Sequence, residues 1–323
     1  MSEYGLIITA APHIRQKGAT PMIMRGVFMA LIPASACGVY FFGLWAAINL
    51  VVGVASAVLF EYLIQRIWKL EVTISDGSAA LTGLFIAMTL PPRVEPWVVA
   101  MASLMAIGPG KIIFGGLGYN IFNPALVGRV FASLAWPGVV GAGYAWPANS
   151  MEWTRGFDVL TTATPLSLLK SGEIGGTTLS RFYGPLFFGN VAGSLGETSA
   201  LALLVGALVL LFMGVITLRI PLVYILTTAG LAMAFNQDPI FHLLSGGLIL
   251  GAFFMATDYV TSPMKPMAQI IYAVGLGVFT FLIRMFGSYP EGVAFAILIM
   301  NSFVPLIERF GKPKRFGEVN NRA

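Results

Sequence analysis

The sequence predicts an all-α integral membrane protein: about ten transmembrane helices in two inverted five-helix repeats, with broken third and eighth helices. Three observations carry this. Hydrophobic residues make up 57% of the 323 and charged residues 10%, against roughly 25% charged in soluble domains, and mean hydropathy is +0.83. Apolar runs close to the roughly 20 residues a bilayer requires recur along the chain. Two of them, Gly83-Leu-Phe-Ile-Ala-Met-Thr89 and Gly251-Ala-Phe-Phe-Met-Ala-Thr257, align without a gap, and they are the third and the eighth span. An odd offset makes the two copies cross in opposite directions, the arrangement of proteins with a midplane binding site. Two apolar runs also resemble each other by composition alone.

The spans expected are 24–42, 44–63, 72–90, 97–114, 122–136, 200–217, 221–235, 241–257, 267–285 and 292–307. The tail 1–21 holds Arg15 and Lys17 and lacks a cleavable apolar segment, so the first span is expected to act as its own insertion signal. A first repeat then covers 22–136, a polar interval 137–185, a second repeat 186–308, and a basic tail 309–323. Segments 78–92 and 245–263 begin with small residues and stop at prolines, which marks the broken helices. Ten crossings put both termini on one side. Arg93, Arg155, Lys170 and Arg181 fall on the other side, Arg129 and Arg284 fall in or at the edge of spans, and the remaining thirteen of the 19 Lys and Arg residues, Lys111 among them, lie with the termini. That bias places the termini in the cytoplasm and the interval 137–185 in the periplasm of a bacterium. The net charge of +5 is thereby explained at the membrane edge, with no need of nucleic acid.

A single cysteine, Cys37, excludes an intramolecular disulfide and any all-cysteine metal site built by this chain alone. His13 and His242 make no persuasive haem pair, there is no dinucleotide-binding glycine fingerprint, and no metal site is expected. The chemistry-bearing residues are polar groups near membrane depth, where each is costly and normally faces a protein interior. Asn120, Asn123 and Arg129 recur at spacings of three and six along one helix entrance and are expected to share a space. The glycine-rich stretch 189–197 ends in Glu197, and Thr257 and Asp258 close the second broken span. Each group taken singly also reads as helix-end capping. Between them lies Asp158-Val-Leu-Thr-Thr-Ala-Thr-Pro-Leu166, hydroxyl-rich, with Thr164 held extended ahead of Pro165. From composition alone it is also an ordinary extramembrane loop.

Four motifs in order, Asp76-Gly-Ser-Ala-Ala-Leu-Thr-Gly, Gly118-Tyr-Asn-Ile-Phe-Asn-Pro-Ala-Leu, Gly251-Ala-Phe-Phe-Met-Ala-Thr-Asp and Glu291-Gly-Val-Ala-Phe-Ala-Ile-Leu-Ile-Met-Asn301, resemble the family of the RnfD component of the Rnf electron-transport complex. Its sister family is the NqrB component of the sodium-translocating NADH:quinone reductase. The resemblance covers nearly the whole chain, and the short N-terminal tail favours the Rnf member.

The resemblance implies a flavinylation signature: an Asp, a hydroxyl residue, Gly, Ala and an acceptor Thr or Ser, to which a separate flavin transferase esterifies FMN. Asp158, Thr161, Ala163 and Thr164 match, with Thr164 as acceptor, while Val159 departs and Thr162 stands where Gly is usual. Thr161 and Thr162 remain as alternative acceptors. It further implies a non-covalent riboflavin inside the bundle, near Asn120, Asn123, Arg129 and Asp258. Thr257, Asp258 and Glu197 are the candidates for an ion path. The chain itself would be an electron-transfer component with no catalytic residue of its own, in a complex coupling electron flow between ferredoxin and NAD to Na+ or H+ movement. Its partners would be a periplasmic flavoprotein subunit and membrane and iron–sulfur subunits. The competing reading, from the residues alone, is a cofactor-free inverted-repeat permease.

Overall fold

The computed structural model describes residues 19–145, 147, 163–289 and 291–310, and among these every regular element is helical. The first half holds α1 (Ala19–Phe42), α2 (Leu44–Ile67), α3 (Ser78–Thr89), α4 (Pro96–Ile107) and α5 (Pro124–Ala135). Three short helices follow: α6 (Pro137–Ala142), α7 (Pro165–Ser171) and α8 (Tyr183–Phe188). The second half holds α9 (Ala200–Phe212), α10 (Arg219–Ala234), α11 (Pro239–Leu244), α12 (Leu248–Leu250) running into a π turn (Gly251–Met255), α13 (Pro266–Phe286) and α14 (Val293–Phe310). Proline opens several of these helices at the first position, where its missing N–H costs nothing. Asn123, Thr164 and Asp238 stand just before such prolines, and each side chain accepts a hydrogen bond from the first turn.

Among the described residues, four stretches are long and apolar enough to cross a membrane: Thr20–Phe42, Leu44–Ile67, Pro96–Phe114 and Pro266–Phe286. Of the others, α3, α5 and α9 are shorter than the spans expected from hydropathy, α10 and α14 are slightly longer, and 241–257 is divided. Gly246 and Gly247 both take φ 66, a left-handed conformation that stops α11 and restarts the chain as α12. Hydropathy sees one apolar run there; the backbone makes two pieces and a π turn.

One apolar core joins both halves through residues such as Leu31, Ile86 and Val98 from the first and Leu203, Phe254 and Leu276 from the second. Small residues allow the tightest crossings, as they do where lipid supplies no hydrophobic drive between helices. Where α2 meets α3, a Cβ on Gly83 would sit 2.1 Å from the Gly53 carbonyl oxygen, and one on Gly53 would sit 2.6 Å from that of Gly83.

A buried ion pair ties this half together. The Lys111 ammonium lies 2.6 Å from Glu61 Oε1, with side-chain exposures of 2% and 0%. It also donates to the Ser78 hydroxyl at 2.6 Å, which in turn donates to Asp76. Gln65 and Thr73 donate to the same Glu61 oxygen. Lys111 therefore does not belong with the surface cations that the sequence count assigned to the side of the termini. Its charge is consumed inside the protein, at the entrance of α3. Arg284 of α13 has the corresponding place at the entrance of α12, donating to the carbonyls of His242, Ser245 and Gly246.

Gly83→Ala is expected to destabilise by about 1–3 kcal/mol through overpacking, read as a drop of several degrees in the unfolding midpoint in detergent. Gly230→Ala on α10, where an added Cβ meets nothing within 4 Å, should change stability by less than about 0.5 kcal/mol. Equal midpoints for the two variants would refute the tight α2–α3 crossing.

Candidate functional site

The polar residues sort to two ends of the bundle. α13 is 21 residues long, which is about 30 Å. Asp258 lies just before its start and Glu291 just after its end, so groups beside one are remote from groups beside the other.

At the Glu291 end, α7 is built by its caps: Thr164 precedes Pro165 with φ −67 and ψ 153, and Gly172 ends the helix at φ 78. The extended Thr164 that the sequence predicted is what the cap requires. Its hydroxyl accepts from the Ser167 N–H at 3.2 Å and lies 2.9 Å from the Ser167 hydroxyl. α7 is held on the bundle by Leu166, which packs with Leu179, Leu186, Val191 and Phe241, and by Lys170, which donates to the carbonyls of Gly287 and Tyr289. Partial burial lowers the Lys170 amine from its ordinary value.

Thr164 is 7% exposed and lines a cavity of about 390 Å³ together with Ala163, Ser167, Arg129, Tyr144, Tyr289, Glu291 and Phe295. Arg129 pairs with Glu291, and the Tyr144 hydroxyl donates to Glu291 Oε1 at 2.7 Å. Burial, then the Glu291 carboxylate, pushes the Tyr144 phenol well above its ordinary value, so it stays a donor. The Tyr289 and Phe295 rings lie 5.1 Å apart on the same wall. Arg129 Nη1 is buried without a partner among the described residues.

At the other end, Asn120, Asn123, Thr257 and Asp258 line a smaller cavity of about 70 Å³ with Ser78, Thr82 and Lys111. Asp258 accepts from the Thr261 hydroxyl at 3.0 Å, and Thr257 donates to the Phe253 carbonyl at 2.7 Å. Asn123 caps α5 and reaches the Met255 carbonyl at 3.4 Å, an oxygen on the π turn. Asn120 donates to the Phe122 carbonyl, while its own side-chain oxygen is buried and unpartnered among the described residues.

The expected grouping is thus divided. Asn120 and Asn123 precede the helix that Pro124 starts, so the spacing of three and six does not run along one helix, and Arg129 belongs with Thr164 instead. Glu197 also stands apart from Asp258: it borders a small void with Thr164 and Glu291. Asp158 and Thr161, like Thr162, lie outside the described residues. Glu61, Tyr144 and Glu291 were not singled out from the sequence. A carboxylate within an apolar span is a signal for Glu61, and Glu291 stands at the mouth of the last span; Tyr144 has no comparable local signal.

Comparison with known proteins gives this architecture its relatives. The sequence model of the NQR2, RnfD, RnfE family matches residues 7–317. Among relatives, the D component of the Na(+)-translocating ferredoxin:NAD(+) oxidoreductase complex of Acetobacterium woodii is 46% identical over 319 residues, 98% of this chain and 97% of the relative. The D component of the proton-translocating ferredoxin:NAD(+) oxidoreductase complex of Clostridium ljungdahlii is 43% identical, covering 96% of each chain. The D component of the ion-translocating oxidoreductase complex of Stutzerimonas stutzeri is 40% identical, covering 93% of each. With a family match over nearly its whole length and relatives that align end to end, the chain belongs to the NQR2, RnfD, RnfE family.

Proposed function

We propose that this chain is the membrane component of an Rnf-type complex that couples electron transfer between ferredoxin and NAD to ion translocation, and that it carries FMN esterified to Thr164. The observation that carries the reading is the Thr164 hydroxyl on the wall of the 390 Å³ cavity. That volume lies in the range of cofactor pockets, about 300–1,000 Å³. The residues fit a flavin: an aromatic pair, a buried arginine with a free N–H and a phenol donor surround the acceptor. When bound, FMN supplies one- or two-electron transfer, and the protein supplies position and electrostatics. Arg129 holds positive charge beside the cavity, Glu291 balances it, and Tyr144 fixes the carboxylate. To become an ester oxygen, the Thr164 hydroxyl gives up its proton, while the oxygen can still accept from the Ser167 N–H.

For the non-covalent riboflavin, Asn120, Asn123 and Asp258 at the other end of the bundle would offer donors and acceptors along its ring edge, while the space of about 70 Å³ between them is on the scale of a small ion. That cavity suits a small cation. Asp258, Thr257, Thr82 and the unpartnered Asn120 oxygen offer the hard oxygen ligands a cation prefers.

The same reading has ten crossings in two inverted repeats in a bacterial inner membrane, with cytoplasmic termini and Thr164 on the periplasmic side. Several matched details support the repeat. Within each half the second helix packs on the broken third element and on the fourth, and the fourth packs on the fifth; across the halves α1 meets α9 and α5 meets α14. Thr89 and Thr257, equivalent in the alignment, both donate to the carbonyl four residues back, at Phe85 and Phe253. Lys111 and Arg284 each reach from the fourth helix region to the entrance of the broken one. The Na(+)- and proton-translocating names of the first two relatives given above leave the coupled ion open between those two.

Three outcomes are expected. Thr164→Ala removes flavin fluorescence that survives denaturing electrophoresis and leaves expression of the chain intact; a fluorescent band in that variant would move the acceptor to Thr161 or Thr162. A reporter active only in the periplasm is active when fused after Ser171 and silent after Lys312, and the opposite pattern would invert the topology. Asp258→Asn slows turnover of the assembled complex and weakens its dependence on the coupling ion without changing flavin content, whereas unchanged ion dependence would take Asp258 off the ion path.

A further inference from the structure

The short helix α7, which Thr164 caps, lies among empty spaces. Thr164 and Ser167 border the cavity of about 390 Å³, while Leu166, Leu169 and Lys170 border another of about 570 Å³ together with Gly175, Gly176 and Leu179. A third void, of about 10 Å³, touches Thr164, Pro165 and Leu166. Of the seven residues of α7 only Pro165 and Leu166 are buried. Little apolar area therefore holds it, and a helix of this length does not stand alone.

Two side chains fasten it: Leu166, packed with Leu179, Leu186, Val191 and Phe241, and Lys170, which donates to the carbonyls of Gly287 and Tyr289. Beyond α7 the chain turns at three glycines. Gly172 and Gly176 take φ 78 and 57, and a Cβ on Gly172, Gly175 or Gly176 would meet nothing within 4 Å. Rotation there lets α7 leave the bundle as a unit by giving up the two fastenings. Docked, Thr164 is out of reach of another protein, since it is 7% exposed and its hydroxyl is bonded to the Ser167 N–H and hydroxyl. A cavity of about 390 Å³ admits a cofactor but not the active site of a folded enzyme. Ester formation joins the Thr164 oxygen to the phosphorus of a flavin nucleotide anhydride; the anhydride P–O bond breaks, its electron pair leaves with the departing nucleotide, and the hydroxyl proton passes to a base on the transferase. That reaction needs the oxygen in the transferase, not in the wall of this chain.

We propose that α7 is a hinged lid, latched by Leu166 and Lys170, that swings out about residues 172–176 to present Thr164 to the flavin transferase and closes over the cavity once the ester is made. The use of the lid rests on the flavin reading of Thr164; the latch and the hinge do not.

The test follows opening with and without flavin, on the full chain purified in detergent from cells that lack the transferase. Thr164→Cys combined with Cys37→Ala leaves one thiol in the chain. A maleimide bearing a polymer too large for the cavity is expected to label it slowly, at a rate set by the open population. Lys170→Ala should speed labelling roughly three- to tenfold through the lost hydrogen bonds, and Leu166→Ala on the order of a hundredfold, while Gly230→Ala leaves the rate unchanged. In chains that keep Thr164 and Cys37, the transferase with its flavin nucleotide should modify Lys170→Ala and Leu166→Ala faster than the wild type by similar factors. The proposal is overturned if neither latch variant accelerates labelling, if neither accelerates flavin transfer, or if the parent is labelled as fast as unfolded chain. Lys170→Ala, which changes an exposed side chain, decides the matter if Leu166→Ala does not fold. Labelling that behaves as expected on a chain that accepts no flavin keeps the lid and removes the flavin reading instead.

Discussion

A polar group at membrane depth must find its partner within the protein, because lipid offers none and the cost of leaving it bare is several kcal/mol. The organisation of this chain follows from that constraint. At the break before α12 the exposed carbonyls are answered by a long side chain from α13, and at the start of α3 a buried ion pair meets a side-chain hydroxyl. Lys111 answers at Ser78, with Glu61 as its counter-charge, and Arg284 answers at His242, Ser245 and Gly246. Without Arg284 the carbonyls at the break before α12 would be bare, and the left-handed glycines that shape the void beside Glu197 could not be held there.

The two ends so created have different chemistry. Around Thr164 the wall is aromatic and charge-balanced, with room for a cofactor of several hundred cubic ångströms. Around Asp258 the space is narrow, with Ser78, Thr82, Thr257 and Lys111 set in a largely apolar wall that includes Met24, Val27, Phe85 and Phe254. A redox group and an ion are thereby assigned to opposite ends of α13 in the proposed function. Coupling between them must run through the packed helices between, of which α13 and the broken α12 segment touch both ends.

Much of this was legible in the residues. Hydropathy marked the apolar helices, the Thr-Pro pair marked the extended Thr164, and the alignment of Gly83–Thr89 with Gly251–Thr257 pointed to a pair whose threonines bond alike. Local rules failed where partners are distant in sequence. Arg129 was grouped with Asn120 and Asn123 by spacing, yet its partner is Glu291, 162 residues away. Lys111 looked like an interfacial cation because its partner Glu61 is 50 residues upstream, on another helix. The break expected from the small residues that open 245–263 falls at Gly246 and Gly247, where a side chain has no room: a Cβ would meet Arg284 and Leu166 at the first and Glu197 at the second.

The claim on which the functional account rests is a covalent cofactor on one threonine, and the intact mass of the purified wild-type chain, followed by mapping of the modified fragment, tests it most directly. The account requires a chain heavier than its sequence by one FMN ester, with the added mass on the fragment containing Thr164. A chain at its unmodified mass, purified from cells that contain the flavin transferase, would contradict it.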